Sequence, residues 1–379
     1  MIYFDNSATT RPHDDVLDSF MEVSKRYYGN SSSAHSFGLE AEKLLRKAYQ
    51  QASQLMSVQS NEIIFTSGGT EGNNLAIKGI AHAYRKRGKH LITTVIEHPS
   101  VLNTFRALET FGFEVTYLPV DASGVVSVDR VKEALREDTI LVSVMHVNNE
   151  LGTIQPIEQI GQLLKNRKYT FFHVDHVQGF GKVNLDFKKC HVDLASISGH
   201  KIHGLKGTGL VYVRENVRLF PLFHGGGQQN DRRSGTENLA GIVSFVRAMR
   251  LILDCQLHQP DHFQRLNQLL RNQLNDIPEV VINTIEDQAP HILNFSIPGF
   301  KPEVILRALE ERRIFVSTKS ACSSKKSVES AVLSAIQLPK ELRQSSIRVS
   351  LSYQNTKGEI ELFVRALKRV IKELKEVMG

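Results

Sequence analysis

One lysine lies in a loop of unusual composition, and its surroundings suggest covalent chemistry. Residues 196–209 read SISGHKIHGLKGTG, and Lys201 comes directly after His200 at the end of an apolar, β-prone run. The glycines of this loop would let the backbone approach a ligand closely. A lysine amine held there can form a Schiff base with a carbonyl compound. Lys206, five positions on, is the alternative amine, but it lacks a preceding histidine.

A second segment could hold a phosphate group. Residues 66–77 read TSGGTEGNNLAI and place Gly69 and Thr70 at the junction between a predicted strand and the helix after it. Such a junction presents free backbone N–H groups and the positive end of the helix dipole. A tight turn with Thr70 as the helix N-cap would use the same residues, so both interpretations stay open.

A third segment ends a predicted buried strand with a carboxylate. Residues 171–179 read FFHVDHVQG, in which Asp175 is followed three positions later by Gln178. Open α/β sheets bind ligands at the carboxyl ends of their strands, and a buried carboxylate there needs a cation or a donor opposite it. The alternative is an aspartate that caps the loop.

Taken together, the three segments match the requirements of pyridoxal 5′-phosphate. The lysine would form the Schiff base, the carboxylate would keep the pyridine nitrogen protonated, and the helix N-terminus would hold the phosphate. The segment TVIEHPSV adds His98, whose ring could stack on the cofactor.

The elements that must position these residues follow an α/β pattern. Between Glu62 and Arg214, short runs rich in Val, Ile, Phe and Thr alternate with stretches of helical periodicity, which predicts a mainly parallel sheet covered by helices. The seven runs are EIIFTS, HLITTVIEH, FEVTYLPV, TILVSVMHV, TFFHVD, LASIS and GLVYV. Before them, apolar residues at helical spacing predict one face of a packing helix: Ala41, Leu44, Leu45, Ala48, Ala52, Leu55 and Met56.

The character of the sequence changes after the seventh run and its following loop. Helix-rich sequence then predominates, interrupted by the apolar segments HILNFSIPG and SIRVSLS. We therefore predict a large α/β domain over residues 14–257 and a smaller α+β domain formed by residues 1–13 and 258–379.

Composition restricts the other classes of function. The net charge of +7 could favour an encounter with RNA or an acidic partner, but no RNA-binding motif or aromatic platform is present, so we expect no direct binding of nucleic acid. The cysteines Cys190, Cys255 and Cys322 show no CxxC spacing, which argues against a disulfide framework and a metal site. We find no membrane-length apolar run and no secretory signal in MIYFDNSATT, and expect a cytoplasmic protein.

Nine ordered segments resemble those of the cysteine desulfurases of the NifS/IscS class, within the aminotransferase class V family. They span residues 3 to about 352 and read DNSATT, TSGGTEGNNLAIKG, IEHPSV, MHVNNELG, HVDHVQ, SGHKIHG, RRSGTEN, SACSS and SSIRVSLS. Members of this class are pyridoxal-phosphate enzymes of fold type I that convert L-cysteine to L-alanine and a cysteine persulfide. The resemblance implies the same fold, cofactor and activity for this chain.

The resemblance also implies roles for the cofactor-binding residues. Lys201 would form the Schiff base, Asp175 would pair with the pyridine nitrogen, and Gln178 would bond the ring hydroxyl oxygen. The phosphate would be held by the backbone of Gly69, by Thr70, Ser198 and His200, and by Thr236 of the neighbouring subunit of a homodimer.

Further residues would act on the substrate. Arg348 would bind the carboxylate of L-cysteine, a task suited to its planar, bidentate donors. Strand alternation places this arginine on the face opposite its two apolar neighbours. Asn149 would lie at the edge between cofactor and substrate, and His98 would stack on the ring and move protons.

Cys322 would be the nucleophile that accepts the sulfur. It lies in the polar stretch STKSACSSKKSVES, whose lysines would favour the thiolate, whereas Cys190 and Cys255 have the neighbours of structural thiols. Cys322 precedes Arg348 by 26 positions, which suits the long cysteine loop of the class that passes sulfur to other proteins. An iron–sulfur scaffold and a tRNA-thiolating enzyme are both candidate acceptors.

Two positions depart from the pattern of the class. His176 stands where a small residue is common and could alter the cofactor pocket, and Lys319 stands where glycine is common in the cysteine loop. The alternative functions are another pyridoxal-phosphate lyase or aminotransferase, such as a selenocysteine lyase, and an inactive scaffold. Cys322 argues against the first, and the intact set of Lys201, Asp175, His98 and Arg348 argues against the second.

Overall fold

The structure, a computed structural model, describes residues 1–318 and 329–378. In chain order its strands are β1 (Ile2–Tyr3), β2 (Ile63–Thr66), β3 (His90–Thr94), β4 (Glu114–Leu118), β5 (Thr139–Met145), β6 (Phe171–Asp175), β7 (Leu194–Ser198), β8 (Gly209–Val213), β9 (Val281–Ile282), β10 (Ile292–Ser296), β11 (Ile314–Phe315) and β12 (Ser346–Ser350). Its helices are α1 (Asp14–Arg26), α2 (Ser36–Met56), α3 (Gly69–Tyr84), α4 (Pro99–Glu109), α5 (Val128–Ala134), α6 (Ile157–Leu164), α7 (Leu239–His258), α8 (His262–Asn275), α9 (Pro302–Glu311), α10 (Ala331–Ala335), α11 (Lys340–Gln344) and α12 (Lys357–Met378).

Seven strands form one sheet in the order β2-β8-β7-β6-β5-β3-β4. Strand β8 runs antiparallel to both of its neighbours, and the remaining pairs are parallel. These strands lie within the seven predicted runs, so the prediction of a mainly parallel sheet is confirmed. Their apolar residues are consecutive because both faces of the sheet are covered.

In several strands of this sheet, alternate residues enter two different hydrophobic cores. In β2, Ile63 and Phe65 pack in the core that contains residues of α2 and α7. Ile64 lies between them and packs on the opposite face with residues of α3 and α4. The period of two along a strand therefore divides a continuous apolar run between two helical layers.

Helix α2 carries the predicted core stripe. Ala41, Leu45, Ala48 and Ala52 are buried, while Leu44, Leu55 and Met56 pack partly buried against the same core. The assignment of this stripe to packing is confirmed, and it leaves the site residues to the loops at the strand ends.

The two chain ends form a smaller unit with its own core. Strand β1 pairs in parallel with β11, and β10 lies between β12 and β9 in an antiparallel sheet. Helices α8, α9 and α12 cover these strands, and the core between them includes Phe4 from the start of the chain. This core is separate from the two that flank the large sheet, which supports the predicted division into residues 14–257 and the remainder, and these bounds stay a prediction.

In the two described ranges, we find no helix with the length and apolarity that crossing a bilayer would require.

The packing of α12 against the first residues generates a stability prediction. The ring of Phe363 meets that of Phe4 edge to face, with centroids 5.6 Å apart, and both side chains are fully buried. We expect Phe363→Ala to lower the free energy of unfolding by about 3–5 kcal/mol, through lost burial and the cavity it leaves. Urea denaturation followed by circular dichroism measures the change.

Its neighbour Leu362 is the matched control, because it lies in the same helix with half of its surface exposed. Leu362→Ala should change the same free energy by about 0.5 kcal/mol or less. Equal losses in the two variants would contradict the packing described here.

Candidate active site

A cavity of about 680 Å³ opens at the carboxyl ends of strands in the seven-stranded sheet. Its lining includes the residues that end or follow β2, β5, β6 and β7, together with the start of the chain and β12. Parallel strands bring these ends to one edge of the sheet, which is where open α/β folds place ligands. The cavity thus lies between the seven-stranded sheet and the smaller unit formed by the two chain ends.

Ten of the predicted site residues line this one cavity: Gly69, Thr70, His98, Asn149, Asp175, Gln178, Ser198, His200, Lys201 and Arg348. Thr236 is exposed and does not line the cavity of its own chain. Cys322 and Lys319 lie outside the described residues.

Lys201 ends a short turn that follows β7. Its Nζ donates to the carbonyl oxygen of Ala8 at 2.7 Å and also to the carbonyl of Ser7. Lys206 lines the same cavity but is exposed, whereas Lys201 is half-buried. The start of the chain therefore holds one of the two amines in place.

Helix α3 begins at Gly69, and its N-cap is Gly68 with φ of 145°. Thr70 is therefore the second helical residue, and the alternative interpretation of Thr70 as an N-cap is wrong. The unpaired N–H groups of this 16-residue helix face the cavity from its N-terminus.

Ser198 lies beside this helix N-terminus, and His200 lines the same cavity. The hydroxyl of Ser198 is buried and has no hydrogen-bond partner among the residues that the structure describes. Burial, aided by the positive charges of Lys201 and Lys206, lowers the pKa of His200 to about 4, so its imidazole is neutral at neutral pH. A buried hydroxyl without a partner, next to free backbone donors, fits a phosphate group.

Asp175 ends β6 and is buried. Its Oδ2 accepts a hydrogen bond from Nδ2 of Asn73 at 2.8 Å, and its Oδ1 accepts one from the N–H of Val177 at 3.1 Å. The carboxylate thus caps its loop and also lines the cavity, so the two interpretations of Asp175 are compatible. Asn73 was not among the predicted site residues, and its signal was a polar side chain on the buried face of α3.

Gln178 presents an unsatisfied acceptor. Its Nε2 donates to the carbonyl of Ser7 at 3.0 Å. Its Oε1 is buried and, within the described ranges, accepts no hydrogen bond. This oxygen fits a hydroxyl donor in the cavity, such as the one on the pyridoxal ring.

His98 is the N-cap of α4. Its Nδ1 accepts a hydrogen bond from the N–H of Ser100 at 3.1 Å, which assigns the ring proton to Nε2 in the neutral form. Burial lowers its pKa, and the positive charge of Lys201 lowers it further, while Asp175 opposes both. The ring is accordingly neutral and suited to stacking on an aromatic cofactor.

Arg348 is almost completely buried in β12, although it carries a charge. Its guanidinium donates to Oδ1 of Asp5 and to the carbonyl of Asn149, both at 2.8 Å. Its Nε is buried and has no acceptor among the described residues. Its neighbours Ile347 and Val349 pack in the small core, as strand alternation predicts. The unused donor fits a substrate carboxylate.

The histidine that departs from the class pattern does not line this cavity. We expected that His176 could alter the cofactor pocket, but its ring packs behind the loop against Phe180 and Phe187. The His176 side chain lies on the opposite side of the loop from that of Asp175. Any influence of His176 on the cofactor pocket must therefore be indirect.

The two described cysteines have the environments of structural thiols. Cys190 is buried and Cys255 is half-buried. Burial raises the pKa of both thiols, so neither is activated as a thiolate.

The fold and this cavity define an enzyme of the pyridoxal-phosphate class, and comparison with known proteins identifies the family. The chain belongs to the aminotransferase class-V family, whose model matches residues 2–363. Enzymes of this family use pyridoxal phosphate, so the expected fold type and cofactor are confirmed.

Within this family, the chain is similar to three proteins over nearly its whole length. The cysteine desulfurase IscS of Clostridium botulinum is 43% identical over 380 residues, which cover 99% of this chain and 96% of the relative. A solved NifS-like protein is 38% identical with a TM-score of 0.92, over 98% of this chain and 99% of that one. The structure of SspA in complex with cysteine is 35% identical with a TM-score of 0.82, over 94% of this chain and all of that one. The resemblance to cysteine desulfurases drawn from the sequence is confirmed.

A buried carboxyl group that was not among the predicted site residues lies directly before His98. Oε1 of Glu97 accepts hydrogen bonds from Oγ1 of Thr94 at 2.8 Å and from the N–H of Met145 at 2.9 Å. Burial raises its pKa from 4.5 to about 8, and the negative charge of Asp175 contributes. Glu97 is therefore protonated at neutral pH beneath the cavity.

This carboxyl group generates a prediction for pH dependence. Between pH 4.5 and about 8 the unfolded chain releases the proton that folded Glu97 retains, so its contribution to the free energy of unfolding falls as pH rises. Glu97→Gln cannot titrate. Its stability relative to the parent should therefore increase from pH 5 to pH 8, as measured by urea denaturation at both values.

Glu133→Gln serves as the control, because Glu133 is exposed on α5. Its stability relative to the parent should be the same at both pH values. A pH-independent difference for Glu97→Gln as well would show that Glu97 is not protonated in the folded protein.

Proposed function

We propose that this protein is a cysteine desulfurase that converts L-cysteine to L-alanine and receives the sulfur on Cys322 as a persulfide. The observation that carries the proposal is the single cavity that brings Lys201, Asp175 and Arg348 together at one edge of the sheet. The similarity to IscS and NifS-like proteins over nearly the whole chain supports the same activity.

Some of the groups that would hold the cofactor, the hydroxyl of Ser198 and Oε1 of Gln178, have no hydrogen-bond partner among the described residues. The hydroxyl of Ser198 and the N–H groups at the start of α3 would bind the phosphate, and Oε1 of Gln178 would accept from the ring hydroxyl. Asp175 would bind the pyridine nitrogen, and Lys201 would form the covalent bond. When bound, pyridoxal phosphate supplies an electron-accepting ring that weakens the bonds at the substrate α-carbon.

The substrate would be oriented by its carboxylate. Arg348 would bind it through the Nε that has no acceptor in the described structure, while the other guanidinium donors stay bonded to Asp5 and to the Asn149 carbonyl. His98 holds its ring proton on Nε2, because Nδ1 accepts from Ser100, and the ring would donate a proton to the substrate only after taking up a second one. These contacts would hold the C–S bond of the substrate within the cavity.

Sulfur transfer would then fall to Cys322. Its thiolate would attack the substrate sulfur, so that the carbon–sulfur bond breaks, a sulfur–sulfur bond forms and the carbon skeleton takes up a proton to leave as alanine. The lysines of its sequence neighbourhood support a thiolate at neutral pH.

Partners follow from the same proposal. We propose a cytoplasmic homodimer in which Thr236 binds the phosphate in the other subunit's cavity. Thr236 is exposed, and Arg233 in the same loop is paired at 2.8 Å with Glu71, which lines the cavity. The final acceptor of the sulfur would be an iron–sulfur scaffold protein or a tRNA-thiolating enzyme.

The assignment of the reactive amine gives one prediction. After borohydride reduction of the holoenzyme, peptide mass spectrometry should find the cofactor mass on Lys201. Lys201→Ala should lose this covalent attachment and about 99% or more of desulfurase activity, because Lys201 is, among the described residues, the amine that the carbonyls of Ser7 and Ala8 hold.

Lys206→Ala is the matched control, since Lys206 lines the same cavity but is exposed. It should retain the covalent cofactor. Attachment that persists in Lys201→Ala and disappears in Lys206→Ala would reverse the assignment.

The assignment of the sulfur acceptor gives another prediction. Cys322→Ala should bind pyridoxal phosphate with an unchanged visible spectrum but produce less than a tenth of the parent's alanine, because no thiolate is present to take the sulfur. Mass spectrometry should find an added sulfur atom on Cys322 of the parent after incubation with L-cysteine. Cys255→Ala should behave like the parent, and alanine production at the parent rate by Cys322→Ala would refute the assignment.

A further inference from the structure

Two histidines pair directly behind the loop that carries Asp175 and Gln178. The Nδ1 atoms of His146 and His176 lie 2.9 Å apart, and each side chain is 3% exposed. The ring centroids are 4.9 Å apart. None of the catalytic roles proposed above uses this pair.

The pair defines how protons are distributed between the two rings. Two Nδ1 atoms at this distance form a hydrogen bond only when one carries the hydrogen and the other accepts it. Burial lowers the pKa of His146 to about 4, and burial, with His146 and Lys182, lowers the pKa of His176. Both rings are therefore neutral at neutral pH, one as the Nδ1–H and the other as the Nε2–H tautomer.

The surrounding residues leave little freedom for the pair. A Cβ atom on Gly179 would lie 2.4 Å from Nδ1 of His146 and 2.6 Å from Nδ1 of His176, so no other residue fits there. The rings of Phe180 and Phe187 meet His176 edge to face at 5.9 and 5.7 Å. A glycine and two aromatic rings thus fix the geometry of the hydrogen bond.

The backbone connects the pair to the cofactor residues. The N–H of His146 donates to the carbonyl of Asp175 at 2.9 Å, which joins β5 to the end of β6. His176 follows Asp175 directly, and its carbonyl accepts from the N–H of Gly179 at 3.2 Å, which closes the loop around Gln178. The side-chain hydrogen bond therefore ties the loop to β5 at the position where Asp175 and Gln178 leave the sheet.

We propose that His146 and His176 are positioning residues that hold Asp175 and Gln178 in register with pyridoxal phosphate through their shared Nδ1 hydrogen. The inference rests on the proposed cofactor site in the cavity. The pair acts through the loop and contacts neither cofactor nor substrate.

Three substitutions at one position separate this role from simple filling of space. In His176→Asn the side-chain amide takes the place of Nδ1 and can keep the hydrogen bond to His146. In His176→Gln the amide lies one carbon further along the side chain, near the place of Nε2, so it cannot replace Nδ1. His176→Ala has no side-chain group that could form this hydrogen bond. The Gln and Ala variants should bind pyridoxal phosphate about tenfold more weakly than the parent, and Asn within about threefold.

Two further readouts distinguish positioning from stability. Nitrogen-15 NMR of labelled imidazoles in the parent should show one Nδ1–H and one Nε2–H tautomer for His146 and His176. For the Gln and Ala variants, kcat at saturating cofactor should fall with little change in KM for L-cysteine. The reason is that the pyridoxal ring would be misplaced while Arg348, which binds the substrate carboxylate, would not. If His176→Ala fails to fold, His146→Asn and His146→Gln apply the same comparison from the other ring.

The outcomes are separable. Equal cofactor affinities for the Asn, Gln and Ala variants, with normal binding by the parent, would overturn the positioning role alone. Identical tautomers in the two rings would also overturn it. A parent that binds no pyridoxal phosphate would overturn the proposed function and this role together.

Discussion

The segment between Phe4 and Thr10 is the constraint on which the site depends. Its first residue packs in the small core, and its later carbonyls accept hydrogen bonds from side chains of the large sheet. Asp5 adds an ion pair with the buried Arg348, which would otherwise be an uncompensated charge. This short segment therefore fixes the amine of Lys201, the amide of Gln178 and the guanidinium of Arg348 relative to each other.

Most of the fold could be predicted because it follows from local patterns. Six of the seven strands of the large sheet are buried on both faces, and such runs can be recognised in the sequence without knowledge of their partners. Asp175, which ends β6, was predictable for the same reason, since parallel strands must place their carboxyl ends together, whereas Ser198 was assigned from the resemblance alone. The small unit was less apparent, because β1, β9 and β11 have two residues each and no period.

The parts that were missed or wrong depend on partners distant in sequence or on local backbone geometry. Asn73 contacts Asp175 and Glu97 contacts Met145, and each partner lies on another element. No spacing in the sequence predicts these contacts. The start of α3 is set by the unusual φ of Gly68, so Thr70 could not be placed at the N-cap or beyond it from composition. The side on which the His176 side chain lies could not be predicted either, because loop residues follow no periodic pattern of buried and exposed positions.

The pairing of the first residues with the last strands has a consequence for biosynthesis. Asp5 and Arg348 are 343 positions apart, and β1 pairs with β11 in the same region. The ribosome releases Asp5 long before Arg348, so their contact must wait for synthesis of the 343 positions that separate them, at about 5–20 residues per second. The large sheet can form earlier, but Lys201 meets its carbonyl partners only when the segment docks. Assembly of a cofactor-competent cavity is thus a late event, governed by long-range closure rather than by the folding of the sheet.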